Sequence, residues 1–407
     1  MELDEDFWSW VKQHIADDPL ALRLKFAGSN SMGELSAAIT QIECRRKFGK
    51  KLAQTLEAFP EFYFPSTLAG EQSTSDALAA YHAILVRADE PAVDFTAGLG
   101  IDALHMASIA SNVLAVERQP ALAEALEYNA KGLGVTNLTA LACDCRDYIA
   151  QAVDLGLHFG TAFIDPARRA ADGSRVFALA DCEPDVVALL PSIAKLAKRL
   201  VIKMSPMLDV SHTIAELTPK PNRIIALGTP TECKELIAVV DFDFDVDQTL
   251  IEATTIAADG TASTFAFTAA QERETPMPEA SAAVKPGDYV YEASPALMKT
   301  GAFKLVASRY GLNIFHANTK LFYSSELVKD FPGRAYKVEE VIPYASGEIK
   351  RFKRRHPAAN VAVRNFPISA DALRKKLGIS DAGPLRLYGI ATNAPILLLT
   401  SPTTVLG

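Results

Sequence analysis

Pro91-Ala-Val-Asp-Phe-Thr-Ala-Gly-Leu-Gly-Ile-Asp102 is the stretch from which the fold is read. A short apolar run ends in the carboxylate of Asp94, two glycines follow one residue apart, and an amphipathic segment opens at Ile101. The pattern predicts strand, tight turn and helix. Gly98 and Gly100 let the backbone turn sharply and approach a ligand closely, while the first N–H groups of the helix point into the same space. A nucleotide-like molecule fits there.

On both sides of this turn, strand and helix patterns alternate. Strands are predicted near 113–116, 138–142, 161–164, 199–203, 223–227 and 235–244, with helices over 120–132, 185–198 and 208–217. Apolar strands between helices imply an α/β, doubly wound Rossmann-like domain whose parallel sheet is covered on both faces and binds ligands at the strands' carboxyl ends. This domain is expected over 76–275, after a helical N-terminal cap at 1–75. The segment 269–285, with alanines, prolines and charges, reads as a linker. Two small α+β modules follow, one over 276–322 with a helix at 295–310, the other over 323–407.

Composition limits the classes of function. With 49% hydrophobic and 22% charged residues among 407, the chain is globular and long enough for two to four domains. No apolar run approaches the roughly 20 residues of a membrane span, and the acidic start Met-Glu-Leu-Asp-Glu-Asp lacks a signal peptide's basic region, so a cytoplasmic protein is expected. Five scattered cysteines suit a reducing compartment. Cys143-Asp-Cys145 has no second pair at ligand spacing, so buried thiols and no metal are expected. The net charge of −8 is uneven: residues 276–407 carry 18 Lys and Arg against 10 Asp and Glu, and residues 1–275 carry 23 against 39. A basic C-terminal third on an acidic body points to a polyanion partner.

Gly98-Leu-Gly-Ile-Asp-Ala103 satisfies the loose G-x-G-x-x-G/A pattern, with Glu117 19 residues after Gly98, so NAD is a candidate. Asp94 argues the other way, because a pyrophosphate there would meet like charge. S-adenosylmethionine carries an ammonium and a sulfonium instead, and a carboxylate suits it. Asp94, Glu117, Asp144 and Asp165 all fall at predicted strand ends, on one edge of the sheet.

Asp94 to Asp102, Glu117, Asp144 and Asp165-Pro-Ala-Arg168 together resemble a class I S-adenosylmethionine-dependent methyltransferase. Glu71-Gln-Ser-Thr-Ser75, Lys203-Met-Ser-Pro-Met-Leu-Asp209, Phe331-Pro-Gly-Arg334 and Val363-Arg-Asn-Phe-Pro367 resemble the subgroup ending in a THUMP-like domain, with a ferredoxin-like module before it. The resemblance implies that Asp94 and the Gly98/Gly100 turn hold the methionine end, Glu117 the ribose and Asp144 the adenine amino group. Thr96, Arg118 and Cys145 flank these positions and join the candidate cofactor set.

Asp165-Pro166 stands where amino-methylating relatives carry Asn/Asp-Pro-Pro-aromatic, but Ala167 and Arg168 depart from that motif. Relatives that methylate a pyrimidine carbon need a cysteine after the next strand, and Lys203-Met-Ser-Pro206 has none. Asp165, Pro166 and Lys203 are the catalytic candidates, with Arg168 and Arg169 stacking on a base or binding phosphate. Ser73 or Ser75 either caps a helix or, with Gln72, faces the ligand turn. In Lys350-Arg-Phe-Lys-Arg-Arg-His356, Arg351, Lys353, Arg354 and Arg355 are candidates for holding RNA phosphates, with Phe352 or Tyr344 stacking on a base. The expected function is methylation of a nucleotide of structured RNA by direct transfer. The alternatives are a catalytically inert RNA-binding protein, a methyltransferase acting on a protein or small molecule, and an NAD-linked oxidoreductase.

Overall fold

Apolar runs bounded by turn residues become strands in both units of the chain, Met1–Ile224 with Leu236–Asp247 and Ile225–Glu235 with Gln248–Gly407. The computed structural model describes residues 3–27, 32–168, 178–281, 283–392 and 394–403. In order, the strands reaching into the first unit are β1 (Ala92–Asp94), β2 (Val113–Glu117), β3 (Leu138–Ala142), β4 (Phe159–Ile164), β5 (Ala167–Arg168), β6 (Cys182–Glu183), β7 (Ala197–Met204), β8 (Arg223–Thr229) and β9 (Glu232–Asp241).

The first unit's main sheet runs β9-β7-β4-β1-β2-β3. β1 is parallel to β2 and β4, β2 to β3, and β4 to β7. The order reverses at β1, which opens a crevice at its carboxyl end, where the glycine turn follows. β9 departs from the parallel sheet expected, running antiparallel to β7. Only Pro230 and Thr231 separate it from β8, and a parallel return needs a crossover of a dozen residues or more.

The N-terminal cap comprises the helices Glu5–Gln13, Pro19–Lys25, Met32–Phe48, Ala53–Ala58 and Thr67–Gln72. Its core holds Phe7, Trp8, Val11, Leu22, Ile39 and Ile42. Polar anchors fix the cap to the sheet's helices. Asn129 accepts from the Tyr63 N–H at 2.7 Å and donates to the Tyr63 carbonyl at 3.0 Å. Buried Asp76 accepts from the Gln54 N–H, the Thr55 N–H and Thr55 Oγ1, at 2.8, 3.1 and 2.5 Å. In both anchors a buried polar side chain has its hydrogen-bonding capacity met by the backbone or a hydroxyl of the cap.

In the second unit, β10 (Leu250–Ile256) and β11 (Ala262–Thr268) form an antiparallel hairpin. The expected linker begins instead with a helix, Ala269–Glu274, held by a capping box between Thr268 and Gln271. The helix expected over 295–310 divides into Pro295–Thr300 and Lys304–Arg309, because Gly301 turns left-handed at φ +76° and ends the first. β12 (Tyr289–Ala293), β13 (Asn313–Ile314), β14 (Phe322–Ser324), β15 (Gly333–Pro343), β16 (Asn360–Arg364), β17 (Arg386–Ile390) and β18 (Ile396–Pro402) form one sheet in the order β13-β14-β12-β15-β18-β17-β16. The two modules anticipated after residue 276 thus share a sheet, through the pairing of β12 with β15. That pairing covers strand edges that would otherwise be exposed.

The basic run lies on the helix Ser346–Arg355, with Arg351, Lys353, Arg354 and Arg355 exposed. Phe352 does not stack outward. It is fully buried among Ile349, Leu373, Leu377, Leu397 and Leu399, since it falls on the helix face that meets the sheet.

Candidate active site

Parallel strands bring the acidic residues to one edge. Asp94 ends β1 and Glu117 ends β2, while Asp165 follows β4 directly and Asp144 comes two residues after β3. The glycine turn takes the conformation expected of it, with Gly98 at φ +55° and Gly100 at φ +85°. A Cβ on Gly100 would lie 2.2 Å from Leu126 Cδ1, so close packing of turn against helix also requires glycine there.

Glu117 shapes this turn. Its Oε2 accepts from the Gly98 N–H at 2.9 Å and its Oε1 from the Gln119 N–H at 2.8 Å. Each oxygen retains lone-pair capacity for a ribose hydroxyl. Thr96 ties β1 to β4: its N–H donates to Asp94 Oδ1 at 2.9 Å, and its Oγ1 accepts from the Asp165 N–H at 2.7 Å. Asp94 is 1% exposed. Burial pushes its pKa up to about 8, the carboxylates of Asp102 and Asp165 push the same way, and the Thr96 N–H and the Lys203 ammonium oppose them. A carboxyl with so little cationic compensation is a natural seat for a bound cation.

At the ends of β4 and β7 a polar chain crosses the site. Lys203 Nζ donates to Asp165 Oδ2 at 2.6 Å and to Thr74 Oγ1 at 3.0 Å. Thr74 Oγ1 in turn donates to Asp102 Oδ2 at 2.5 Å, and Asp102 Oδ1 lies 2.7 Å from Nδ1 of fully buried His82. Burial opposes ionisation of Asp102, but Lys203, His82 and Thr74 together hold its carboxyl well below the usual range. Asp102 is therefore a charged anchor for Lys203, whereas for Asp94 the same ammonium only partly offsets burial.

Other candidates sit as follows. Asp144 caps the helix Cys145–Asp154 and binds Arg146 through both oxygens, at 2.9 and 2.6 Å, which holds its pKa at about 2. Cys145 is buried, and burial pushes its thiol up to about 11, so it contributes packing and no thiolate. Arg118 is exposed, with Glu183 4.0 Å away. Pro166 is buried, and Arg168 is placed by its backbone in β5, opposite Cys182. Arg169 lies outside the described residues.

Ser75 caps the helix Asp76–Ala83 through Leu78, Ser73 donates to the Gly70 carbonyl, and Gln72 is exposed. The residue of that segment that enters the polar chain is Thr74, which sequence reasoning passed over together with Asp102 and His82. The Asp-x-x-x-x-x-x-x-Asp spacing from Asp94 to Asp102 was visible, but nothing in it showed that the second carboxylate turns toward β7.

Two C-terminal family models match the chain, a ferredoxin-like domain at residues 289–332 and a THUMP domain-like module at 333–402. Over its whole length the fold is similar to the crystal structure of a Porphyromonas gingivalis W83 protein provisionally described as a methyltransferase. The TM-score is 0.86 and the identity 30%, covering 99% of this chain and 100% of the other. The chain belongs to the class I S-adenosylmethionine-dependent methyltransferase family with a C-terminal THUMP-like domain. A stretch of 80 residues is also 40% identical to the 23S rRNA (uracil(1939)-C(5))-methyltransferase RlmD of Idiomarina loihiensis, covering 20% of this chain and 17% of that protein. The basic helix Ser346–Arg355 falls within the THUMP-like match at 333–402.

Proposed function

We propose that the protein methylates a nucleotide of structured RNA, with S-adenosylmethionine held at the glycine turn and the acceptor held between Asp165 and Lys203. The observation that carries this reading is the Lys203 ammonium bridging Asp165 and Thr74 at the strand ends beside Asp94. It puts a positioned polar pair next to a buried carboxyl whose raised pKa that ammonium only partly offsets. Bound there, the cofactor would supply a methyl group on a sulfonium; transfer to the acceptor's lone pair would break the S–CH3 bond, release S-adenosylhomocysteine and pass the acceptor's displaced proton to Asp165.

In this mechanism Asp94 ionises against the ligand's ammonium, Glu117 accepts from ribose hydroxyls, and Asp144 accepts from the adenine amino group. Thr96 keeps Asp94 and the Asp165 backbone in register. Asp165 accepts a hydrogen bond from the acceptor, which aims the acceptor's lone pair at the methyl group. Lys203 fixes the Asp165 rotamer, and Thr74 and Asp102 fix Lys203. The cluster of acidic residues disfavours a pyrophosphate, which counts against NAD. Lys203-Met-Ser-Pro206 offers no thiol after β7, so the reading is direct transfer without a covalent enzyme intermediate.

The RNA half of the reading is supported by the surplus of positive charge after residue 276, by the THUMP-like match and by the partial likeness to an rRNA methyltransferase. The test is incubation with methyl-labelled S-adenosylmethionine and separate pools of RNA, protein and metabolites from a strain lacking the protein. Label entering RNA alone is expected. Label entering only protein or metabolites would overturn the RNA substrate, and cofactor binding without transfer to any pool would overturn catalysis.

A further inference from the structure

Two sequence motifs that the methyl-transfer site leaves unused, Phe331-Pro-Gly-Arg334 and Val363-Arg-Asn-Phe-Pro367, send their arginines to one place. A cavity of about 270 Å³, lying wholly in the second unit, is lined by Arg334, Arg364, Arg386, Lys320 and Glu292. The backbone is built for this convergence. Glu292 pairs with Arg334 across β12 and β15, and Gly333 lets β15 approach so closely that a Cβ there would lie 2.2 Å from the Glu292 carbonyl oxygen. Asn365, at φ +49°, turns the chain immediately after Arg364.

Glu292 organises the cluster without neutralising it. Its carboxylate takes Arg364 Nη2, Arg386 Nη2 at 3.2 Å and the Tyr388 hydroxyl at 3.3 Å. Arg334 Nη2 donates to the Pro230 carbonyl at 3.2 Å. Four cations against one carboxylate leave a surplus of three positive charges around the cavity. Among the described residues, Arg386 Nε is the one buried side-chain polar atom without a hydrogen-bond partner. Guanidinium groups present planar forks of donors that match phosphate oxygens, and a phosphomonoester carries about −1.5 to −2 charges at neutral pH.

We propose that this cavity binds a phosphomonoester, carried either by a terminal phosphate of an RNA or by a free mononucleotide. The cavity is built of second-unit residues alone and goes beyond the proposed activity, since it holds even if the methyl acceptor is not RNA. A phosphodiester inside a chain carries one charge and fits this surplus less well.

The full chain would be titrated calorimetrically with AMP and with adenosine, and by fluorescence anisotropy with a 12-nucleotide RNA bearing or lacking a 5′-phosphate or a 3′-phosphate. AMP is expected to bind at least tenfold more tightly than adenosine. An Arg334→Gln/Lys320→Gln double variant is expected to lose that preference with an unchanged melting temperature, while Lys329→Gln, exposed and outside the cavity, keeps it. A preference for one phosphorylated RNA end that the double variant abolishes assigns the phosphate to RNA. AMP binding without such a preference assigns it to a free nucleotide. Equal binding of AMP and adenosine, binding of neither AMP nor phosphorylated RNA, or an AMP preference that survives the double variant would overturn the proposal.

Discussion

If Asp94 seats the cofactor as proposed, cofactor binding depends on pH. The Asp94 carboxyl is buried and its pKa is pushed up to about 8, so in the empty protein it is mostly protonated at pH 7. A ligand ammonium seated against it favours the carboxylate, and binding must then expel the proton. Affinity for S-adenosylmethionine is therefore expected to rise about tenfold per pH unit below pH 8, or about 100-fold between about pH 5 and pH 7. Across that range the ligand's own α-ammonium stays charged. The assay is calorimetry over this range in two buffers of different ionisation enthalpy, which reads both the affinity and the close to one proton released per ligand. An Asp94→Asn variant, which keeps an acceptor for the Thr96 N–H, is expected to bind weakly with a flat profile. Stability of the empty protein carries the opposite sign. Unfolded Asp94 gives up its proton near 3.8 and folded Asp94 only near 8, so ionisation through that window destabilises the fold. The Asp94→Asn variant should consequently melt higher than the wild type above about pH 8. A wild-type affinity unchanged from pH 5 to pH 7, with no proton released, would refute the reasoning.

Other expectations follow from the same geometry. Lys203→Met, which frees the Asp165 rotamer, should lower single-turnover methyl transfer by roughly 10²-fold. Because Lys203 also opposes the rise in the Asp94 pKa, the variant's cofactor-binding profile should shift to higher pH in calorimetry. Gly100→Ala places a Cβ against Leu126 at φ +85°, and urea unfolding should show a loss of about 3 kcal/mol. Phe352→Ala should cost about 3 to 5 kcal/mol in the same measurement, because it empties a core position, whereas exposed Lys353→Ala should stay within about 0.5 kcal/mol.

Much of the body was legible because its signals are local. The run from Ala92 to Ile101 carries strand, turn and helix in ten residues, and the two glycines have the left-handed backbone that the motif requires. Placing acidic residues at the ends of β1, β2 and β4 needed only the parallel order of strands. What escaped was set by long-range packing. Thr74, His82 and Asp102 come together with Lys203 through contacts spanning up to 129 residues, and no spacing in the chain encodes them. Ser73 and Ser75 outweighed Thr74 because serine is the stronger cap signal, and Ser75 does cap. Phe352 was misplaced because the charges around it hid one apolar face of a helix. The prolines at 276 and 278 masked the capping box at Thr268 and Gln271, and β9 turned back on too short a connection to remain parallel.

The most direct test of the account is mass spectrometry of nucleosides from the RNA of a strain lacking the protein, complemented by the wild type or by Asp165→Ala. One methylated nucleoside is expected to be missing, restored by the wild type and not by the variant. Identical nucleoside profiles in all strains, or full restoration by Asp165→Ala, would contradict it.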